Sequence, residues 1–126
     1  MKRIALALTA SIWALAALAA GPEIKFDTTD HDCGTIRADK GALSWTYTFT
    51  NTGDEPLVII SVSNGGCGCT KPTFPTEPIA PGKTGEIKIT FNPEGRRGQL
   101  ARRVKVRTNA AEKPLLLSFK GMIIPK

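Results

Sequence analysis

The most informative segment of the chain reads Leu43-Ser44-Trp45-Thr46-Tyr47-Thr48-Phe49-Thr50. Apolar and hydroxylated side chains alternate through it with a period of two. Because successive side chains of a β-strand point to opposite faces, this alternation creates one apolar face and one polar face. We therefore predict a strand that packs one face into a core and exposes the other to water.

Similar segments occur on both sides of this strand, and nothing after Gly21 has the spacing of a long amphipathic helix. The segments are short, rich in β-branched and aromatic residues, and separated by turn residues. About seven strands in about 100 residues is typical of an immunoglobulin-like (Ig-like) domain. The predicted fold class is therefore all-β, a single antiparallel Ig-like sandwich over residues 21–126. The other predicted strands are Ile24–Asp27, a short piece near Ile36, Leu57–Val62, a strand through Ile87, Ile89 and Phe91, a strand through Arg103–Arg107, and Leu115–Ile124.

The apolar segment Leu57–Val62 is predicted to be a central strand buried on both sides. It is flanked by Asn51-Thr52-Gly53 and Asn64-Gly65-Gly66, and these turn sequences favour a strand over a short helix. We expect the core to contain Trp45, Tyr47, Phe49, Ile60, Ile89, Phe91, Val104, Leu117 and Phe119.

The longest irregular segment is predicted for residues 64–83, which contain four prolines and two of the three cysteines. Within it, Pro81-Gly82 has the composition of a type II turn, because proline sets φ at the first central position and glycine accepts a positive φ at the second. A loop of this length in a small domain is usually functional or partly disordered. A site, if the chain has one, is expected here first.

The N-terminus has the three-part layout of a secretory signal peptide over residues 1–20. Lys2 and Arg3 precede an apolar segment from Ile4 to Ala20, and Ala17-Leu18-Ala19 provides small residues for cleavage after Ala19 or one residue later. We expect the signal to form a helix and to be removed, which leaves a periplasmic or secreted protein.

The alternative is an uncleaved membrane anchor, since the apolar segment approaches the roughly 20 residues that a spanning helix needs. Its alanine-rich composition and the absence of a following stop-transfer cluster favour cleavage. No cysteine directly follows the cleavage site, so the usual bacterial lipid attachment is not encoded. The formal net charge is +6. Two basic residues leave with the signal, and the remaining excess of about +4 is only a weak indication of an acidic partner.

Cys67-Gly68-Cys69 is the motif of the chain that is best suited to a chemical role. Its spacing does not match the zinc knuckle, and no second pair completes four ligands. Two soft thiolates could carry copper(I). The simpler interpretation is a local disulfide, because two cysteines this close are each other's nearest partners in an oxidising compartment. We predict that Cys67 and Cys69 are joined and that Cys33 stays free.

His31 and Cys33 are two residues apart on a predicted strand and would share a face, which suggests a Cys-His nucleophile. The following Gly34-Thr35-Ile36 looks structural, and no third group that would orient the histidine can be identified. Signatures of nucleophile elbows, metalloproteases and phosphate-binding loops are also absent. The chain is therefore expected not to be an enzyme, and no cofactor is predicted.

The densest basic cluster lies around and along one predicted strand. It could meet lipopolysaccharide phosphates, nucleic acid or an acidic protein. Nucleic acid is disfavoured because no aromatic residues are interleaved to stack bases. We predict a solvated face, such as that of an edge strand, where charges also discourage unwanted pairing. The cluster comprises Arg96, Arg97, Arg102, Arg103, Lys105 and Arg107.

Five motifs follow one another in a fixed order along the chain. They are Asp32–Ile36, Phe49–Gly53 with Pro56-Leu57, Cys67–Thr70, Ile79–Gly82, and Phe91-Asn92 ahead of Gly95-Arg96. This set resembles the domain-of-unknown-function family 1573, whose members are exported Ig-like domains common in Bacteroidetes. More distantly, the chain is similar to the Ig-like modules of the major sperm protein and the pilus chaperones. The resemblance covers essentially all of residues 21–126 and implies the fold and export, but no reaction.

Cys33 departs from the family pattern, which more often has a bulky apolar residue at this position. We therefore expect Cys33 to fill part of the core as a small hydrophobe.

Together, the sequence motifs and the family resemblance predict a non-catalytic module of the cell envelope. It would bind another envelope protein or a surface glycan through loops or an exposed edge strand, with no nucleic-acid partner. It would contact the membrane only if the signal were retained. The alternative is a thiol-based protein that carries copper or exchanges electrons at Cys67-Gly68-Cys69.

Overall fold

The computed structural model describes residues 21–125, so the predicted signal helix lies outside the described residues. Over this range the chain forms eight strands and one short 3₁₀ turn at Ala38–Lys40. The strands are β1 (Ile24–Phe26), β2 (Asp30–Arg37), β3 (Leu43–Asn51), β4 (Ile59–Val62), β5 (Thr70–Thr73), β6 (Thr84–Phe91), β7 (Gly98–Thr108) and β8 (Leu115–Ile124).

The strands form two four-stranded sheets that pack as an Ig-like sandwich, which confirms the predicted fold class. The first sheet has the order β1-β3-β6-β5 and is antiparallel. The second has the order β2-β8-β7-β4, and in it β2 runs parallel to β8. The sandwich is therefore mixed at one edge rather than wholly antiparallel. The strand that sequence reasoning missed is β5, which lies inside the segment predicted to be irregular.

The core forms between the inward faces of the two sheets. The apolar side chains of β3 face inward and pair with those of β6, with Trp45 opposite Ile89 and Tyr47 opposite Ile87. Ring contacts connect the sheets, since Trp45 packs edge-on against Phe119 with centroids 4.9 Å apart. Eight of the nine predicted core residues are buried.

The exception is Ile60, which is 58% exposed, so its assignment to the core was wrong. It lies on β4, which is an edge strand and not the central strand that its apolar sequence predicted. The register of β4 against β7 shifts between Ile59 and Ser61. Such a bulge adds a residue on one side of the pair, and here Ile60 turns outward while Ile59 stays buried.

The predicted turn at Pro81-Gly82 is present. The N–H of Lys83 donates to the carbonyl of Ala80 at 3.0 Å, and Gly82 has a φ of 81°, as a type II turn requires.

Asn51, at the end of β3, is a fully buried polar residue. Its Nδ2 donates to the carbonyls of Glu55 (2.7 Å) and Ile79 (2.9 Å). Its Oδ1 accepts from the N–H groups of Gly53 (2.9 Å) and Glu23 (3.3 Å). One amide thus joins three separate segments at the end of the first sheet.

Candidate functional sites

Cys67 and Cys69 lie between β4 and β5 and are joined by a disulfide with Cα atoms 5.1 Å apart. Cys33 is free, so both parts of the cysteine prediction agree with the structure. The two sulfur-bearing residues differ in exposure, since Cys67 is 8% exposed and Cys69 is half-buried. Gly68 between them is exposed. We call residues 64–70 the disulfide loop.

Local hydrogen bonds explain the shape of the disulfide loop. Oδ1 of Asn64 accepts from the N–H of Gly66 at 2.9 Å, and the N–H of Thr70 donates to the carbonyl of Cys67 at 3.2 Å. At Gly65 a Cβ would lie 2.9 Å from the carbonyl oxygen of Arg103, so only glycine allows the loop to approach β7 this closely. The sequence Asn64-Gly65-Gly66 therefore seats the loop on the second sheet.

Arg96 reaches the disulfide from the turn between β6 and β7. Its Nη2 lies 3.1 Å from Sγ of Cys67, and the backbone N–H of Cys69 lies 3.1 Å from the same sulfur. The turn is held by a hydrogen bond of 3.0 Å from the N–H of Arg96 to the carbonyl of Pro93. No pattern in the sequence indicated this contact, because the two residues are 29 positions apart.

Two open grooves meet at this end of the sandwich and share Asn92, Glu94 and Arg96. One, of about 530 Å³, is lined by Gly68, Cys69 and Lys71 among others. The other, of about 690 Å³, includes Arg97. The disulfide loop is therefore accessible from solvent on its Cys69 side.

The structure divides the predicted basic cluster into three parts. Arg103, Lys105 and Arg107 are exposed on the outer face of β7. Arg96 and Arg97 belong to the turn before β7 and line the grooves beside the disulfide loop. Arg102 has the inward orientation of Val104 and is half-buried, and its Nε has no hydrogen-bond partner within residues 21–125.

The suggestion that the basic strand is an edge strand was wrong. β7 lies between β8 and β4 and pairs along most of its length with β8. Its outward charges therefore cannot serve to protect a free edge. They lie in the middle of a sheet face.

The outer face of the second sheet carries basic and apolar side chains, and Asp30 and Asp32 of β2 lie beside Ser118 and Lys120 at one edge of it. Lys120 of β8 lies opposite Ala101, two pairs along from Arg103 and on the same face. The exposed large hydrophobic residues of the described chain also lie on this face, namely Ile60 (58%), Leu116 (43%) and Met122 (46%). We call the surface formed by Ile60, Arg103, Lys105, Arg107, Leu116, Lys120 and Met122 the basic face.

His31 and Cys33 each pack against residues of the core. The His31 ring stacks on Trp45 with centroids 4.7 Å apart and planes inclined by 7°. Burial, and secondarily the neighbouring Asp32 carboxylate, raises the pKa of Cys33 to about 11, so its thiol stays protonated at neutral pH. Cys33 packs against the core, in agreement with its predicted role.

Over residues 21–125, no three His, Cys, Asp or Glu side chains come together as a metal site would require. In the same range, no helix is long and apolar enough to span a bilayer.

The fold and its closed core define an Ig-like β-sandwich domain. Among solved structures, one of a protein of unknown function from Porphyromonas gingivalis W83 is similar, with a TM-score of 0.70, 17% identity and 95% of this chain covered. The chain spans about half of that protein (52%). The ASH / PapD-like domain 7 of human CEP192 is similar over nearly its whole length (98%) and 96% of this chain, with a TM-score of 0.58 and 12% identity.

A further similarity, with a TM-score of 0.59 and 12% identity, covers 79% of this chain and 31% of the Vibrio cholerae VesB protease. These identities establish the fold alone. The particular family follows from the sequence: the chain belongs to the DUF1573 family, described as a protein of unknown function, whose model matches residues 24–123. No curated protein matches the chain.

Proposed function

We propose that this chain is a non-catalytic, exported module of the cell envelope that binds an acidic protein surface through its basic face. Export rests on the signal peptide read from residues 1–20, which would leave the domain in the periplasm or outside the cell. The single observation that carries the binding proposal is the concentration of exposed large hydrophobic residues on one sheet face.

Apolar anchors within a polar surround are typical of protein-binding surfaces. Leu116 lies directly opposite Lys105, and Met122 lies opposite Gln99. A shallow groove lined by Ser63, Gly65, Arg103 and Leu116 among others continues this surface toward the disulfide loop. The hydrophobic side chains are thus distributed along the face and could contact a partner over its whole length.

The charges of the basic face are available to a partner. Within residues 21–125 the one ion pair closer than 4.0 Å joins Arg37 and Asp39, and it includes none of the basic residues of this face. Arg103, Lys105 and Arg107 therefore have no carboxylate at that distance. An acidic partner would gain electrostatic complementarity, which speeds association and fixes orientation.

A protein is favoured over a glycan or a nucleic acid. The apolar residues of the basic face are Ile60, Leu116 and Met122, which are not aromatic and so offer no flat ring on which a base could stack. Isoleucine, leucine and methionine instead fit the side-chain pockets of a protein surface. Phosphate-rich lipopolysaccharide remains the competing outcome of the test below.

The edge strands are poor templates for strand addition. β1 has three residues, and β5 contains Pro72, which lacks an N–H. β2 and β4 each carry a register shift where they pair with their neighbours. Short strands, proline and bulges all discourage pairing with another chain, so the face of the sheet is favoured over its edges as the binding surface.

The environments of His31 and Cys33, the residues considered for catalysis, support a non-catalytic role. His31, the one histidine of the chain, is stacked on Trp45. Cys33 has a raised pKa, which disfavours the thiolate. Neither residue offers the base or nucleophile that acyl or phosphoryl transfer would require.

A photo-cross-linking side chain at position 116 in the producing cells tests the proposal. We expect an adduct with one protein of defined mass, and no such adduct from position 86, which is exposed on the outer face of the first sheet. Lys105→Glu should abolish the adduct, whereas Lys88→Glu, the same charge reversal on the opposite sheet, should not.

Binding of the captured protein to the purified chain should weaken steeply with added salt. Equal adducts from positions 116 and 86, a heterogeneous lipopolysaccharide adduct, or insensitivity to Lys105→Glu would each refute binding of an acidic protein by this face.

A further inference from the structure

The disulfide loop contains a reactive group, the Cys67–Cys69 disulfide, that the proposed binding function does not use. The two sulfur atoms of this disulfide lie in different environments. Cys67 is 8% exposed, whereas Cys69 is half-buried and lines the groove of about 530 Å³ together with Gly68 and Lys71. A thiol arriving from solvent can therefore approach Sγ of Cys69 more easily than Sγ of Cys67.

The hydrogen-bond donors are concentrated on the other sulfur. Sγ of Cys67 is contacted by Nη2 of Arg96 at 3.1 Å and by the N–H of Cys69 at 3.1 Å. Sγ of Cys69 has only the Thr70 hydroxyl nearby, at 3.6 Å. A disulfide sulfur is a weak, neutral acceptor, so these donors gain most when the sulfur becomes a thiolate.

The geometry points to a thiol–disulfide exchange site in which an external thiolate attacks Cys69 and expels Cys67 as a thiolate held by Arg96. Exchange is faster when the departing sulfur is a better leaving group, and a guanidinium beside it improves the leaving group. Accessibility and leaving-group stabilisation thus select the same direction of attack. This activity goes beyond the proposed binding function and involves none of the residues of the basic face.

The reactant is a dithiol, such as two nearby reduced cysteines of a polypeptide. Its first thiolate donates an electron pair to Sγ of Cys69, the Sγ–Sγ bond breaks, and the bonding pair stays on Sγ of Cys67. Its second thiol loses a proton to solvent, attacks the sulfur bonded to Cys69 and expels the Cys69 thiolate. The dithiol thereby becomes a disulfide by losing two electrons to Cys67 and Cys69, which leave as thiolates, and its two protons pass to solvent. One dithiol is oxidised for each Cys67–Cys69 bond consumed.

The small size of the ring that the Cys67–Cys69 disulfide closes favours this exchange. The disulfide closes a sequence separation of two residues, so it removes little chain entropy from the unfolded state. The bond therefore contributes little to holding the fold, and it can open and close without global unfolding.

Trapping with glutathione tests the direction of attack. The oxidised protein is mixed briefly with reduced glutathione, acid-quenched, alkylated and fragmented by tandem mass spectrometry. We expect glutathione on Cys69 and the alkyl group on Cys67, while Cys33 carries no glutathione. Glutathione on Cys67, or equally on both residues, would overturn the proposed direction.

Arg96→Gln tests the role of the guanidinium. The rate of disulfide opening by dithiothreitol should fall on the order of tenfold, the effect of losing one charge-assisted hydrogen bond. Arg97→Gln, which changes the adjacent exposed arginine, is the matched control and should leave the rate unchanged. Arg96→Lys should restore part of the rate.

Far-ultraviolet circular dichroism of each variant establishes that the fold is intact. A second readout is the oxidation of a reduced dithiol peptide, with one peptide disulfide formed for each protein disulfide lost. Equal opening rates for Arg96→Gln and Arg97→Gln, or no peptide oxidation by the unaltered protein, would refute the exchange site.

Discussion

Replacing Asn51 with alanine removes the buried amide that joins the end of β3 to its surroundings. Four hydrogen bonds are lost, to Glu23, Gly53, Glu55 and Ile79. Three of the losses are partly compensated. The carbonyl of Ile79 still accepts the N–H of Leu57 at 2.9 Å, and water can replace the partners of Glu23 and Glu55, which are both exposed.

The half-buried N–H of Gly53 then bears most of the cost. An unsatisfied buried backbone group costs about 1–3 kcal/mol, so we expect Asn51→Ala to lower the free energy of unfolding by about 2 kcal/mol. For a domain of this size that corresponds to a fall in melting temperature of about 10 °C. Urea unfolding followed by circular dichroism measures the free energy, and the slope against urea should be unchanged.

Asn92→Ala is the matched control for this prediction. Asn92 directly follows β6, just as Asn51 ends β3, but it is exposed. Its side chain accepts one hydrogen bond, from the N–H of Glu94 to Oδ1 at 3.0 Å. We expect a loss of about 0.5 kcal/mol or less. A loss below about 1 kcal/mol in Asn51→Ala, or equal losses in both variants, would refute the argument that burial makes the Asn51 bonds important.

Three further predictions concern packing, pH and export. Gly85→Ala should destabilise the protein by about 2 kcal/mol in thermal unfolding, because its Cβ would lie 2.6 Å from Cζ of the buried Phe49 ring; unchanged or higher stability would contradict this. Tyr47 donates to the carbonyl of Ser118 at 2.7 Å, and burial raises the pKa of its phenol to about 12, so the unfolded chain ionises first and stability should fall as pH rises from about 10 to 12. Chemical unfolding at each pH should show a smaller fall in Tyr47→Phe, and an identical fall would reject the assignment. The intact mass of the protein recovered from its producing cells should begin after Ala19 or one residue later, and a mass that includes Met1 would contradict signal cleavage.

Much of the fold could be predicted because a period of two is a local property of a strand. The alternation through Leu43–Thr50 correctly identified which side chains of β3 are buried. β5 was missed because Lys71-Pro72-Thr73 has no such alternation, and the strand exists only through its pairing with β6. Ile60 was misplaced because an apolar sequence does not reveal a bulge, which depends on the register with β7.

The candidate sites were less predictable, since they depend on contacts between distant residues. The proximity of Arg96 to Cys67 follows from two turns meeting at one end of the sandwich. By contrast, the inward orientation of Arg102 could have been predicted from the sequence. Arg102 lies two residues before Val104, so in a strand the two side chains point to the same face, opposite to that of Arg103.

The parallel pairing of β2 with β8 has a consequence for how the chain acquires its structure. Asp30 lies beside Ser118, 88 residues further along, so the second sheet closes only when the first and last parts of the domain meet. Contacts this distant in sequence make folding slow relative to helical proteins of similar size. A chain emerging from the ribosome lacks β8 until residues 115–124 are made, and until then β2 has no strand to join. The second sheet can therefore be completed only after the last strand is synthesised, so a nascent chain that ends before residue 115 should leave β2 unpaired.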